Sequence, residues 1–91
     1  MSYLVCTTKS FDKGIERMKK RGVSMKPLHK VLDILAETGS LPPQYRPHKL
    51  SGKWEGVWEC HITSDWILLW DQDDEKLTLL LLQTGTHSDL F

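Results

Sequence analysis

Apolar and polar positions follow two different periods along this chain, and the change of period divides it. Tyr3 to Thr7 is rich in β-branched and aromatic residues and reads as a short strand. Ser10 offers a helix N-cap, and Phe11, Ile15 and Met18 recur at the spacing of a buried helical stripe. Lys19, Lys20 and Arg21 fill the last turn, where cations complement the helix dipole, and Gly22 fits the stop. A second helix starts at Ser24, tolerates Pro27 in its first turn, buries Leu28, Val31, Leu32 and Leu35, and ends at Gly39. The short link between the two predicts an antiparallel pair.

From Ser40 to Gly52, three prolines (Pro42, Pro43 and Pro47) exclude a helix and predict a fixed irregular connection. Trp54 to Thr63 then alternates: Trp58, Cys60 and Ile62 face one way, and Val57, Glu59, His61 and Thr63 the other. Ser64-Asp65 supplies a turn, Trp66 to Trp70 a second strand, Asp71 to Glu75 a polar hairpin loop, and Lys76 to Gln83 a third strand. Leu79 to Leu82 is apolar on both faces, which puts that strand in the middle of a sheet with helices on one side. The expected class is α+β: two N-terminal antiparallel helices packed on one face of a small antiparallel sheet, joined by the N-terminal strand. Residues 1–91 form one domain in this reading.

Composition changes this picture little. Ninety-one residues with 40% hydrophobic and 26% charged content describe one small globular domain, not a disordered or low-complexity chain. Apolar runs such as Leu79 to Leu82 are too short to cross a bilayer, and the N-terminus lacks the pattern of a signal peptide. A cytoplasmic chain without a membrane partner is therefore expected. Cys6 and Cys60 have no CxxC spacing and are expected to pack as small apolar groups. Charge matters more. The zero net charge divides into +7 over residues 1–53 and −7 over residues 54–91. A basic half is compatible with a polyanionic partner, and two solvated faces of opposite sign account for it equally well.

His48 falls in the proline-rich connection, His61 near a strand end and His87 in the tail, while Asp65 follows His61 across a tight turn. If the strands form a meander, the connection and the tail both approach the His61 face. Histidines and an aspartate on one open face suit acid–base chemistry near neutral pH. Each is a weak signal alone, and His29, on the polar side of the second helix, reads as structural.

Four blocks sharpen the reading. Pro47-His48-Lys49-Leu50-Ser51-Gly52-Lys53-Trp54, Trp58-Glu59-Cys60-His61-Ile62, Asp65-Trp66-Ile67-Leu68 and Thr84-Gly85-Thr86-His87-Ser88-Asp89-Leu90-Phe91, in this order, resemble the YafQ family of bacterial type II toxins, within the wider RelE-like ribonuclease toxins. The resemblance runs over essentially the whole chain. It implies a ribosome-dependent endoribonuclease that cleaves translated messenger RNA, without metal or cofactor, by attack of a ribose 2′-hydroxyl on the adjacent phosphate. It also implies neutralisation by a cognate antitoxin, which covers or distorts the cleft, and contact with operator DNA only through the antitoxin complex. Carried over by position, His48, His61, Asp65 and His87 take the catalytic places. His87 is then the general acid, Asp65 with His61 the base side, and His48 holds the phosphate or shares the base role. Substrate contacts are expected from Lys49, Lys53, Trp66, Gln83 and the C-terminal aromatic Phe91. Trp54, Trp58 and Trp70 read as packing.

Gln83 departs from the family pattern, in which many relatives carry arginine. A neutral amide there forgoes a charge-assisted bond to the transition state, worth on the order of 2–4 kcal/mol. That keeps open a second reading, a weakly active or inactive toxin-like protein serving mainly as an antitoxin-binding partner in a DNA-binding repressor complex. A metal hydrolase using His48, His61, Asp65 and His87 lacks any HxH or HExxH spacing.

Overall fold

The computed structural model describes residues 2–91. Strand β1 (Leu4–Thr7) leads into helices α1 (Lys9–Lys20) and α2 (Lys26–Thr38), and the two-residue strand β2 (His48–Lys49) follows. The antiparallel meander of β3 (Trp58–Thr63), β4 (Trp66–Asp73) and β5 (Thr78–Gly85) comes next, and the one-turn helix α3 (His87–Leu90) closes the chain. Single 3₁₀ turns at Pro43–Tyr45 and Gly52–Trp54 break up the proline-rich connection. The strand order is β1-β5-β4-β3-β2. The α+β class stands, with one refinement: β1 adds to β5 in parallel, so the sheet is mixed.

Local chemistry explains the boundaries. Thr8, not Ser10, caps α1: its hydroxyl oxygen accepts from the Phe11 amide (3.1 Å) while lying 3.0 Å from the Leu81 and Leu82 carbonyls of β5. The cap thereby seats the helix on the sheet. Gly14 brings α1 closer still, because a Cβ there would stand 2.3 Å from the Thr84 carbonyl oxygen. Gly39 ends α2 in the left-handed conformation (φ 74°), as expected for a C-terminal glycine. Strand β3 starts four residues later than the alternation predicts, since Trp54 closes a 3₁₀ turn and Gly56 turns the backbone at φ 85°.

One sheet face carries the core. Phe11, Met18, Leu28, Val31 and Leu35 of the helices meet Cys60, Ile62, Trp66, Leu68, Trp70, Leu79 and Leu81 of the strands. A bulge decides what the other face carries. Leu69 pairs with Gln83 but Trp70 pairs with Leu81, so Leu82 is an extra residue on β5. The extra residue reverses the alternation and turns Thr84 into the core and Gln83 outward. The cysteine expectation holds for Cys60 alone; Cys6 lies exposed on the edge strand β1. Among the described residues no helix is long and apolar enough to cross a membrane.

Candidate active site

The face opposite the helices is built in cross-strand rows. His48 pairs with Glu59, Glu59 with Leu69, and Leu69 with Gln83, which aligns these four positions across the sheet. The neighbouring row is His61, Ile67 and Gly85. From Gly85 the chain turns through Thr86 into α3, which brings His87 back over the same face. The His61 and His87 rings lie 5.5 Å apart between centroids. Two histidines from distant stretches therefore lie side by side on this face.

Glu59 is the residue that inspection of the sequence missed. Its side chain is only 8% exposed, and Oε1 stands 3.1 Å from His48 Nε2 and 3.9 Å from His61 Nε2. The signal was available: Glu59 and His61 are two apart on one strand, hence on one face. His48 Nδ1 also lies 2.8 Å from the Arg46 carbonyl. Each ring nitrogen of His48 thus faces an acceptor oxygen, and the doubly protonated ring donates to both whereas the neutral ring donates to one. Arg46 holds a left-handed backbone conformation (φ 50°) to present that carbonyl, a strained geometry for a residue with a Cβ.

Asp65 groups with His87: its Oδ1 is 3.3 Å from His87 Nδ1 and 3.4 Å from the His87 amide. An Nδ1–H donating to this carboxylate leaves Nε2 directed away from it and available to a substrate. Phe91 is 58% exposed, 6.3 Å from the His87 ring and edge-on to Trp54 at 6.4 Å. Trp54, read as packing, is half-buried at this rim. A cleft of about 370 Å³ opens beside His61, with Gln44, Tyr45, Arg46, Thr63 and Ser64 among its walls.

Two expected substrate contacts are corrected. Trp66 is 2% exposed in the core, where its indole N–H donates to Thr84 Oγ1 (2.9 Å), so it cannot meet RNA. Lys49 alternates with His48 and points to the other face, its Nζ 5.7 Å from the centroid of the Trp58 ring. Lys53 stays exposed on the turn that carries Trp54, and Gln83 is half-buried in the row of Glu59. Among the described residues no group of three or more His, Cys, Asp and Glu side chains is arranged to hold a metal ion.

Comparison with known proteins adds an independent line. Residues 3–91 match the family described as the bacterial toxin of a type II toxin–antitoxin system, YafQ. The chain is 34% identical over 82 residues to the mRNA interferase toxin YafQ of Escherichia coli K12, covering 89% of this chain and 87% of that one. Its fold is similar to the toxin in the E. coli DinJ–YafQ toxin–antitoxin complex (TM-score 0.88, 29% identity, 100% and 99% of the two chains). It is also similar to a metal-bound toxin from Helicobacter pylori (TM-score 0.87, 36% identity, all of both chains).

Proposed function

The chain belongs to the YafQ family of bacterial type II toxins, and from that premise we propose that it is a ribosome-dependent endoribonuclease that cuts translated messenger RNA without a metal. The observation that carries this reading is the gathering of His48, Glu59, His61, Asp65 and His87 on one open sheet face. In the proposed reaction the ribose 2′ oxygen bonds to the adjacent phosphorus while the bond from phosphorus to the 5′ oxygen breaks. The products are a 2′,3′-cyclic phosphate and a 5′-hydroxyl. One group must take the 2′ proton and another must protonate the leaving oxygen.

His87, oriented by Asp65, supplies the proton to the leaving oxygen. The base side is His61, with the Glu59 carboxylate behind it, and His48 contributes positive charge toward the phosphate when its ring is doubly protonated. The geometry favours pairing Asp65 with the acid over the base-side role expected from the sequence. Gln83 gives a neutral donor where the developing charge needs support. Phe91 and Trp54 form an aromatic rim on which a base can stack, and the cleft beside His61 has room for a neighbouring nucleotide. The cytoplasm, where translated messages are, is the place of action. A cognate antitoxin is the expected partner, as DinJ is for the E. coli relative.

Primer extension on a translated message tests this. Wild-type protein gives new stops within translated codons, and His87→Ala gives the same stops at a rate about a hundredfold or more lower; full cleavage by His87→Ala overturns the assignment. Gln83→Arg raises the rate about tenfold or more, on the scale of a single transition-state donor. The neutral Gln83 favours one alternative, a protein that acts mainly as an antitoxin-bound partner in a repressor complex. A wild type that leaves messages intact while Gln83→Arg cuts them selects that alternative.

A further inference from the structure

Helix α3 carries His87 and leads into Phe91, yet a single turn of helix has no stability of its own. Something else must hold it. The answer is at Asp89. A capping box ties the turn internally: the Thr86 amide donates to Asp89 Oδ2 (2.9 Å) and the Asp89 amide to Thr86 Oγ1 (3.2 Å). Externally, the same carboxylate takes both arms of one guanidinium, Arg21 Nη1 to Oδ2 at 2.7 Å and Arg21 Nη2 to Oδ1 at 2.9 Å. Gly85 makes the approach possible, since a Cβ there would stand 2.9 Å from Asp89 Cβ.

Arg21 is itself well anchored. It caps α1, its amide donating to the Arg17 and Met18 carbonyls at 3.2 Å each, and its Nη1 lies 3.6 Å from the sulfur of buried Met18. Arg17 adds only a longer contact, 3.9 Å from Asp89 Oδ1. Asp89 is mostly shielded, its side chain 12% exposed, and the Arg21 guanidinium with the Thr86 amide holds its carboxyl well below the usual carboxylate range. The Arg21 side chain stays 44% exposed, but a bidentate pair of this kind constrains orientation as well as distance.

We propose that Arg21 is a positioning residue of the ribonuclease site: from the end of α1 it pins α3 through Asp89 and so fixes His87 and Phe91 over the histidine face. This rests on the role given to His87 above. Arg21 sits in the Lys19-Lys20-Arg21 cluster, which the sequence presents only as cations complementing the helix dipole. The geometry instead directs its fork into the protein. A displacement of a reacting group by about 1 Å costs on the order of a hundredfold in rate.

The test compares single-turnover cleavage of programmed ribosomes by wild type, Arg21→Gln, Arg21→Lys, His87→Ala and the Arg21→Gln/His87→Ala double variant, with thermal melts confirming that each is folded. Arg21→Gln is expected to lower the maximal rate about tenfold or more, with half-saturation by ribosomes changed less than about twofold. Arg21→Lys recovers part of the loss by keeping the charge without the fork. On the residual rate of His87→Ala, Arg21→Gln costs less than about twofold, because its effect passes through His87. Backbone order of residues 87–90, read by NMR relaxation, falls in Arg21→Gln. An unchanged maximal rate, a loss confined to half-saturation, or the same loss with and without His87 each overturns the positioning role while leaving the site assignment intact. Full activity of His87→Ala overturns both.

Discussion

Thr84→Val removes one oxygen atom and keeps shape, β-branching and volume, at a residue with no exposed surface. That oxygen has two tasks. It accepts from the Trp66 indole N–H at 2.9 Å and donates to the Ile67 carbonyl at 2.8 Å, joining β5 to β4 beside the bulge. Without it the indole N–H is left buried and unpaired, which costs about 1–3 kcal/mol, and the hydroxyl-to-carbonyl bond forfeits about 1 kcal/mol more. The new methyl returns roughly 0.8 kcal/mol of apolar burial. The balance is a loss of about 2 kcal/mol, which for a domain of this size lowers Tm by roughly 8–16 °C. Thermal melts by circular dichroism measure it, and Trp66→Phe in the Thr84→Val background should cost less than in wild type. A Tm within about 2 °C of wild type, or additive single variants, refutes the reasoning.

Three further outcomes follow from the same geometry. Gly14→Ala gains roughly 1 kcal/mol of helix propensity but puts a methyl 2.3 Å from the Thr84 carbonyl, so urea titration should show net destabilisation, and a more stable variant contradicts the close packing. Exposed Cys6 should alkylate rapidly at mild alkaline pH, while Cys60, its thiol pushed up to about 12 by burial and the nearby Glu59 charge, should not; equal rates refute this. Asp89 stabilises the folded chain as its anion, so the Tm advantage of wild type over Asp89→Asn should be full above about pH 5 and shrink as pH falls through about 4 and below. An advantage independent of pH contradicts the ion pair.

Much of the architecture was legible because it depends on neighbours along the chain. The helical stripe of Phe11 and Met18, the stop at Gly39 and the alternation from Trp58 to Ile62 all appear where local period and turn chemistry put them. The pairings between distant residues were not legible. Nothing near Leu4 reports that β1 lies parallel to β5, because its partner is more than seventy residues away. The bulge at Leu82 reverses the alternation of β5, so no period count assigns Thr84 to the core and Gln83 to the histidine face. Trp66 and Lys49 were misjudged for a related reason: their motif positions border the site, but strand alternation turns their side chains away from it. Glu59 lay in plain view two residues from His61 on the same strand, but its burial and its place between two histidines come from pairings across the sheet.

The most direct measurement uses a message carrying one 2′-deoxynucleotide at the position that is cut, loaded on ribosomes and treated with wild-type protein. Attack by the ribose hydroxyl predicts that this linkage survives, while the all-ribose message is cut to a cyclic phosphate and a 5′-hydroxyl. Cleavage of the deoxy linkage, or ends bearing a 3′-hydroxyl and a 5′-phosphate, contradicts the acid–base reaction assigned to His48, Glu59, His61, Asp65 and His87.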